Sequence, residues 1–260
     1  FASARDDVVA TTAEHEIDFH AGIDAQTYAG WLGSLPEGAR LSLYLHVPFC
    51  DRLCWFCACH TKQVQRYDPV KAYLEALHAE IDTVSWHLAG RGVVSSIHLG
   101  GGSPTMMAAE DMAALRRKLD AAFTIAKDAE ISVEMDPNDM SDERYGGLKS
   151  LGITRASLGV QDFDPKVQQA INRIQTFDDT ALVVSRMRGL GVQSVNLDVL
   201  YGLPHQTLDS IRATIGQVLS IRPNRRTSLR RWRRWGCGTR SLPRWTVTIS
   251  PTAARGTGRR

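Results

Sequence analysis

The sequence predicts an α/β fold built from repeated βα units around a parallel sheet. Three observations carry this expectation. From residue 41 onward, short β-branched runs alternate with longer stretches of helical periodicity. The repeat is roughly thirty residues, the length of one βα unit. Glycines, prolines and cysteines gather just after the β-branched runs. A chain of 260 residues with 43% hydrophobic content is long enough to bury a sizeable core in one barrel-sized domain.

The expected strands, in order, are 41–48 (LSLYLHVP), 94–100 (VSSIHLG), 129–135 (AEISVEM), 155–160 (RASLGV) and 194–201 (SVNLDVLY). Between them, 69–89, 107–123, 141–150 and 177–190 repeat apolar residues every three or four positions, the helical period. Asp68 before Pro69, and Ser141 before Asp142 and Glu143, are helix-start signals. Gly152 and Gly191 close the later helices, where the chain commonly needs a positive φ. The unusual residues follow the strands: the cysteines after the first, Gly100–Pro104 after the second, Asp136-Pro137-Asn138 after the third and Gly202-Leu203-Pro204 after the fifth. In parallel α/β folds, that C-terminal rim is where ligands bind.

Composition excludes several classes. No run of eighteen apolar residues occurs and the first residues lack the order of a secretion signal, so the expectation is a soluble, cytoplasmic protein without a membrane partner. The formal charge of +3 is uneven, because residues 225–260 hold 11 of the 31 basic residues and no acid. The rest carries 20 basic against 28 acidic residues, which is no electrostatic footprint for nucleic acid.

Four of five cysteines (Cys50, Cys54, Cys57, Cys59) fall within ten residues, too crowded to staple distant segments, so metal or redox chemistry is expected. Cys50, Cys54 and Cys57 have C-x3-C-x2-C spacing in one loop, which suits three thiolates wrapping a corner of a cubane cluster. Three ligands for four irons leave one iron open, as metal catalysis requires. The competing reading is a zinc knuckle that adds Cys59 or His60. It lacks the second, separated ligand pair that zinc sites usually use.

C-x3-C-x2-C after one strand and Gly-Gly-Gly-Ser-Pro-Thr after the next resemble the radical S-adenosylmethionine (radical SAM) superfamily. Within it, Tyr44–Cys50, Cys59, Glu130–Pro137, Gly159–Phe163 and Asp198–Pro204 resemble the oxygen-independent coproporphyrinogen III dehydrogenase (oxidase) family, over about residues 19 to 224. The resemblance implies a partial, three-quarter βα barrel of the radical SAM type. It implies a [4Fe-4S] cluster on Cys50, Cys54 and Cys57, with S-adenosyl-L-methionine chelating the fourth iron. One electron cleaves the S–C5′ bond, and the 5′-deoxyadenosyl radical takes a hydrogen from a propionate of coproporphyrinogen III. Loss of CO2 and one further electron leaves a vinyl group, giving protoporphyrinogen IX in anaerobic haem biosynthesis.

The same resemblance implies cofactor contacts from Tyr44, Phe56, Gly101, Gly102, Ser103 and Glu134. It further implies a second S-adenosyl-L-methionine on Gln161, Arg173 and Asp198, an electron donor such as flavodoxin or ferredoxin, and a monomer. It assigns no protein side chain the chemistry itself, which the cluster and the cofactor carry. Bland readings stand beside these roles: core packing for Phe56, a salt bridge for Arg173, a strand-end cap for Asp198. His46 shares a face with Tyr44, since side chains alternate along a strand, and is either a core histidine or part of the site. Cys59 favours the dehydrogenase over the haem chaperones of the same superfamily, which are the alternative function.

The domain expectation is an N-terminal segment 1–40, divergent over 1–18, a partial barrel over 41–224, and an anomalous Arg-rich tail over 225–260. The tail carries no hydrophobic periodicity. It reads as out-of-frame translation of a GC-rich gene or as a disordered segment. A nucleic-acid-binding or membrane-surface tail is the competing reading, which a zinc-bearing module would share. The expected barrel therefore lacks its last strand and the C-terminal helical domain.

Overall fold

Leu41, Leu43, Leu45 and Val47 alternate with Ser42, Tyr44 and His46, and an alternating segment settles as a strand with one apolar face. All four apolar residues are buried, each contributing about 1.5–3 kcal/mol from leaving water. The computed structural model describes residues 23–221, 229–231 and 247–251. The divergent start, 1–18, and most of the Arg-rich tail lie outside the described residues.

In chain order the elements are α1 (Ala25–Gly33), β1 (Arg40–Val47), β2 (Phe49–Cys50), β3 (Lys62–Gln63), α2 (Asp68–Leu88), β4 (Val93–Gly101), α3 (Ala109–Ala122), β5 (Ile125–Met135), α4 (Asp142–Leu151), β6 (Arg155–Gln161), α5 (Pro165–Ala170), α6 (Phe177–Gly189), β7 (Ser194–Tyr201), α7 (Leu208–Ser220), β8 (Leu229–Arg231) and β9 (Val247–Pro251). The main sheet runs β8-β7-β6-β5-β4-β1-β9. Strands β1 and β4 to β8 are parallel, while β9 joins β1 antiparallel. Each long strand after β1 is added on the same side of the one before, the winding of a βα barrel rather than of a doubly wound sheet. Among the described residues, the two edges, β8 and β9, do not pair with each other.

The five expected strands are all present, β5 starting four residues earlier than the sequence suggested. Ser141 caps α4 by accepting from the Arg144 backbone N–H, and Gly152 and Gly191 adopt φ of 77° and 85°. Asp68 is not a cap: it is the first residue of α2, after Tyr67, and serves as the acid of the first turn. The expectation of no strand after the fifth meets two short backbone pairings in the tail, three residues of β8 on β7 and five of β9 on β1.

Helix α2 buries Val70, Leu74, Leu77, Ile81, Val84 and Leu88, steps of three and four that make one stripe against the sheet. Helix α3 adds Met112, Leu115 and Leu119, and α6 adds Val183, Val184 and Met187. One continuous core joins these stripes to the apolar face of β1 and β4 to β7. The other sheet face is polar and partly open, carrying Tyr44, His46, His98, Glu134, Gln161 and Asp198. A helix-covered apolar face thus backs a polar, partly open face.

Candidate functional site

The register of β1 on β4 sets His46 beside Gly100 and Val47 beside Gly101, so the cysteine loop and the glycine turn leave the sheet as neighbours. Backbone bonds then lock them together. Gly102 N–H donates to the Val47 carbonyl at 2.8 Å and Ser103 N–H to the Phe49 carbonyl at 2.7 Å. A Cβ on Gly102 would lie 2.3 Å from the Phe49 oxygen, and one on Gly101 2.5 Å from the His46 ring, at φ of 109°. Only glycine fits both places.

The loop is held from three further sides. Its return limb pairs as β3 on β2, Asn172 Nδ2 donates to the Leu53 carbonyl at 2.8 Å, and Trp55 N–H donates to the Ile171 carbonyl at 3.0 Å. His46 is more than a core residue. Its Nε2 donates to the His60 carbonyl at 2.8 Å, which leaves Nδ1 to accept from the Tyr44 hydroxyl at 3.0 Å. The Tyr44 phenol is pushed up to about 12 by burial, helped by Glu134 and Cys59, and stays a neutral donor.

All four described cysteines are free thiols. Burial, with Cys57 and Cys54 nearby, pushes Cys50 up to about 11. Cys57 is drawn down to about 6 by the hydrogen bond from Cys59, and the same contact raises Cys59. The Cys59 backbone N–H also donates to Cys57 Sγ at 3.4 Å. Cys54 is raised by burial, opposed by Arg173, whose Nη1 donates to its sulfur at 3.5 Å.

Among the described residues, no three His, Cys, Asp or Glu side chains converge on one point as ligands of a single ion. The donor set fits a cluster, in which each thiolate binds its own iron and the ligands need not meet.

Glu134, at the end of β5, faces this loop across the glycine turn. Its Oε2 accepts from the Gly101 N–H at 3.2 Å, and its Oε1 lies 3.3 Å from His98 Nε2. His98 was not singled out from sequence. It spans Glu134 and the Ser132 hydroxyl, 2.6 Å from its Nδ1, and stacks on Tyr44 with ring centroids 5.6 Å apart. Strand alternation carried the available signal, since His98 pairs with Tyr44 in register.

The expected second group also comes together. Gln161 has φ of 66° and its amide lies over Gly159, where an added Cβ would meet Nε2 at 2.7 Å. Asp198 pairs with Gly159 in register and accepts from the Ser157 hydroxyl at 2.9 Å. Arg173 donates from Nη2 and Nε to the Gly159 carbonyl at 2.6 and 3.1 Å and meets Asp136 Oδ2 at 2.9 Å. Phe56, half-buried, packs against Val167, Ile171 and Leu203. Ser103 is buried beneath the turn.

Two further carboxylates stand here: Asp162, which the sequence offered only as part of the Gln161-Asp162-Phe163 motif that favours the enzyme over the chaperone, and Asp139, which it did not single out. Asp162 is fully buried and accepts from the Thr214 hydroxyl at 2.7 Å, from the Asp164 N–H at 2.8 Å, and from Gln206. It thereby joins the loops after β6 and β7 beneath Gln161. Asp139, after β5, is buried with one oxygen unpartnered, and burial, then Asp136 and Asp51, pushes it up to about 7.

A family model described as the Radical SAM superfamily matches residues 44–218. The oxygen-independent coproporphyrinogen III oxidase of Bradyrhizobium diazoefficiens is 48% identical over 214 residues, 82% of this chain and 47% of that protein. Its namesake from Paracoccus denitrificans is 44% identical over the same shares of both chains. A solved structure described as coproporphyrinogen III oxidase from Escherichia coli, a radical SAM enzyme, aligns with a TM-score of 0.78 at 32% identity, covering 84% of this chain and 50% of that one. A radical S-adenosylmethionine methyltransferase from Kitasatospora setae, solved with cobalamin and a [4Fe-4S] cluster, reaches a TM-score of 0.51 at 16% identity over 82% of this chain and 40% of that one, a likeness of fold alone. The chain spans about half the length of the curated relatives it matches.

Proposed function

Because the chain belongs to the radical SAM superfamily, we propose that it binds a [4Fe-4S] cluster on Cys50, Cys54 and Cys57 with S-adenosyl-L-methionine beside it, and serves the oxidative decarboxylation of coproporphyrinogen III to protoporphyrinogen IX. When bound, the cluster and the sulfonium cofactor supply a one-electron cleavage that yields a carbon-centred radical. The chain's own residues bind, orient and shield.

The observation that carries the reading is the clamp between the cysteine loop and the glycine turn, with Glu134 facing it. Gly101 and Gly102, without side chains, let the turn close on the cysteine loop beside Glu134, which leaves a bare backbone there for the methionine end of the cofactor. Glu134 offers a carboxylate for a cofactor amine or hydroxyl. Tyr44 and His46, each satisfied by hydrogen bonds, line the floor without competing for the cluster irons. Gln161, Arg173 and Asp198 are the contacts for a second S-adenosyl-L-methionine. Coproporphyrinogen III is the substrate that the names of the relatives support, with a flavodoxin- or ferredoxin-type donor as the source of electrons.

Anaerobic reconstitution followed by iron and sulfide analysis and electron paramagnetic resonance tests this. The expected result is a cluster signal that changes on adding S-adenosyl-L-methionine, and conversion of coproporphyrinogen III under reducing conditions. A signal indifferent to the cofactor overturns the radical SAM role. Haem binding without decarboxylation favours the chaperone alternative.

A further inference from the structure

Arg173 is the one described arginine placed against a cysteine sulfur. Its side chain is only 11% exposed and its partner Asp136 only 16%, so neither is a solvated surface charge. The guanidinium is fixed at three points. Nε and Nη2 grip the Gly159 carbonyl of β6, Nη1 meets Asp136 at the end of β5, and the same Nη1 reaches Cys54 Sγ at 3.5 Å. A planar fork with several donors suits this arrangement, whereas a lysine's single ammonium cannot hold the same spread of acceptors in one plane.

We propose that Arg173 is a positioning residue that donates an N–H···S hydrogen bond to Cys54 and thereby raises the reduction potential of the cluster that Cys54 helps hold. The inference rests on the cluster reading above but not on the presence of a second cofactor molecule. Hydrogen bonds to ligand sulfurs are among the levers that set iron–sulfur potentials, because a donor stabilises the more negative, reduced state. Asp136 neutralises much of the guanidinium's charge, so the effect acts at short range through the hydrogen bond. It also holds Nη1 where it can reach the sulfur. Arg173 thus links the electronic state of the cluster to the spacing of three strand ends, a coupling for which a mere structural salt bridge has no use.

The test is a redox titration followed by electron paramagnetic resonance on the anaerobically reconstituted full chain, without added S-adenosyl-L-methionine. Iron and sulfide are assayed in the same samples. Arg173→Met is expected to keep its cluster and shift the midpoint to more negative potential by about tenfold in the reduction equilibrium, or about 59 mV for one electron. Arg173→Lys is expected to fall between Arg173→Met and the unaltered chain. An unchanged midpoint in Arg173→Met with full iron content overturns the inference while leaving the cluster reading intact. An unaltered chain that binds no iron and sulfide overturns both. Should Arg173→Met not fold, Arg173→Lys decides: a negative shift supports the inference, and an unchanged midpoint with full iron content overturns it.

Discussion

Glu134 accepts the backbone N–H of Gly101 across two neighbouring strand ends, 3.2 Å apart. The carboxylate therefore holds the glycine turn in its positive-φ shape while keeping its second oxygen toward His98. Structure and ligand recognition meet in one side chain, which is why the candidate site is sensitive at this residue.

Replacing Glu134 by Ala removes a charged acceptor, and hydrogen bonds to charged groups are worth about 1.5–3 kcal/mol. S-adenosyl-L-methionine binding is expected to weaken about 10- to 100-fold, read by calorimetry on reconstituted protein. The iron content should be unchanged. Binding within a factor of two of the original would remove Glu134 from the cofactor site.

Substituting Ser separately at the four described cysteines sorts the ligands. Cys50→Ser, Cys54→Ser and Cys57→Ser should each lose most of the iron on gel filtration. Cys59→Ser should retain it, because the backbone N–H of residue 59 still donates to Cys57 Sγ. Loss of iron in the Cys59 variant would make that thiol a fourth ligand and close the open coordination position.

Gly102→Ala and Gly146→Ala make a matched pair. The new methyl at 102 would press on the Phe49 backbone, whereas at 146, on an exposed face of α4, nothing lies within 4 Å. Thermal unfolding should show Gly102→Ala destabilised by about 2 kcal/mol or more, with loss of cluster binding. Gly146→Ala should gain about 0.5–1 kcal/mol, since alanine replaces glycine inside a helix.

Asp139 gives a pH dependence whose sign is set by its environment. Burial, then Asp136 and Asp51, lift its carboxyl to about 7, so ionising it costs folding energy. The stability it contributes is full below the ordinary carboxyl range near 3.8 and is lost as pH rises through about 7. Asp139→Asn should therefore melt higher than the unaltered chain by a margin that grows from pH 4 to pH 7 and then levels. A margin independent of pH would show that Asp139 ionises normally.

Much of this was legible in the sequence, for local reasons. Alternation in 41–47 gave β1, its two faces and the shared side of Tyr44 and His46, and the spacing of Cys50, Cys54 and Cys57 marked the candidate cluster loop. Most of what escaped was short or long-range. Helix α5 has six residues, too few for a period to show. Helix α7 was missed although Thr207 and Ser210 form a reciprocal cap before it, a readable signal. The bond from Arg173 to Cys54 spans 119 residues, and Asp162 meets Thr214 across 52. No local pattern encodes such pairs. They follow from the order in which the strands stack.

The cysteine loop is tethered by main-chain bonds to Gly102, Ser103 and Ile171 and by the amide of Asn172, all formed by the polypeptide itself. These bonds share in ordering the segment, so a bound cluster need not supply all of that order. Emptying and refilling the socket should then leave the surrounding architecture unmoved, and the speed of repair after oxidative damage should follow delivery of iron and sulfide rather than rearrangement of the chain.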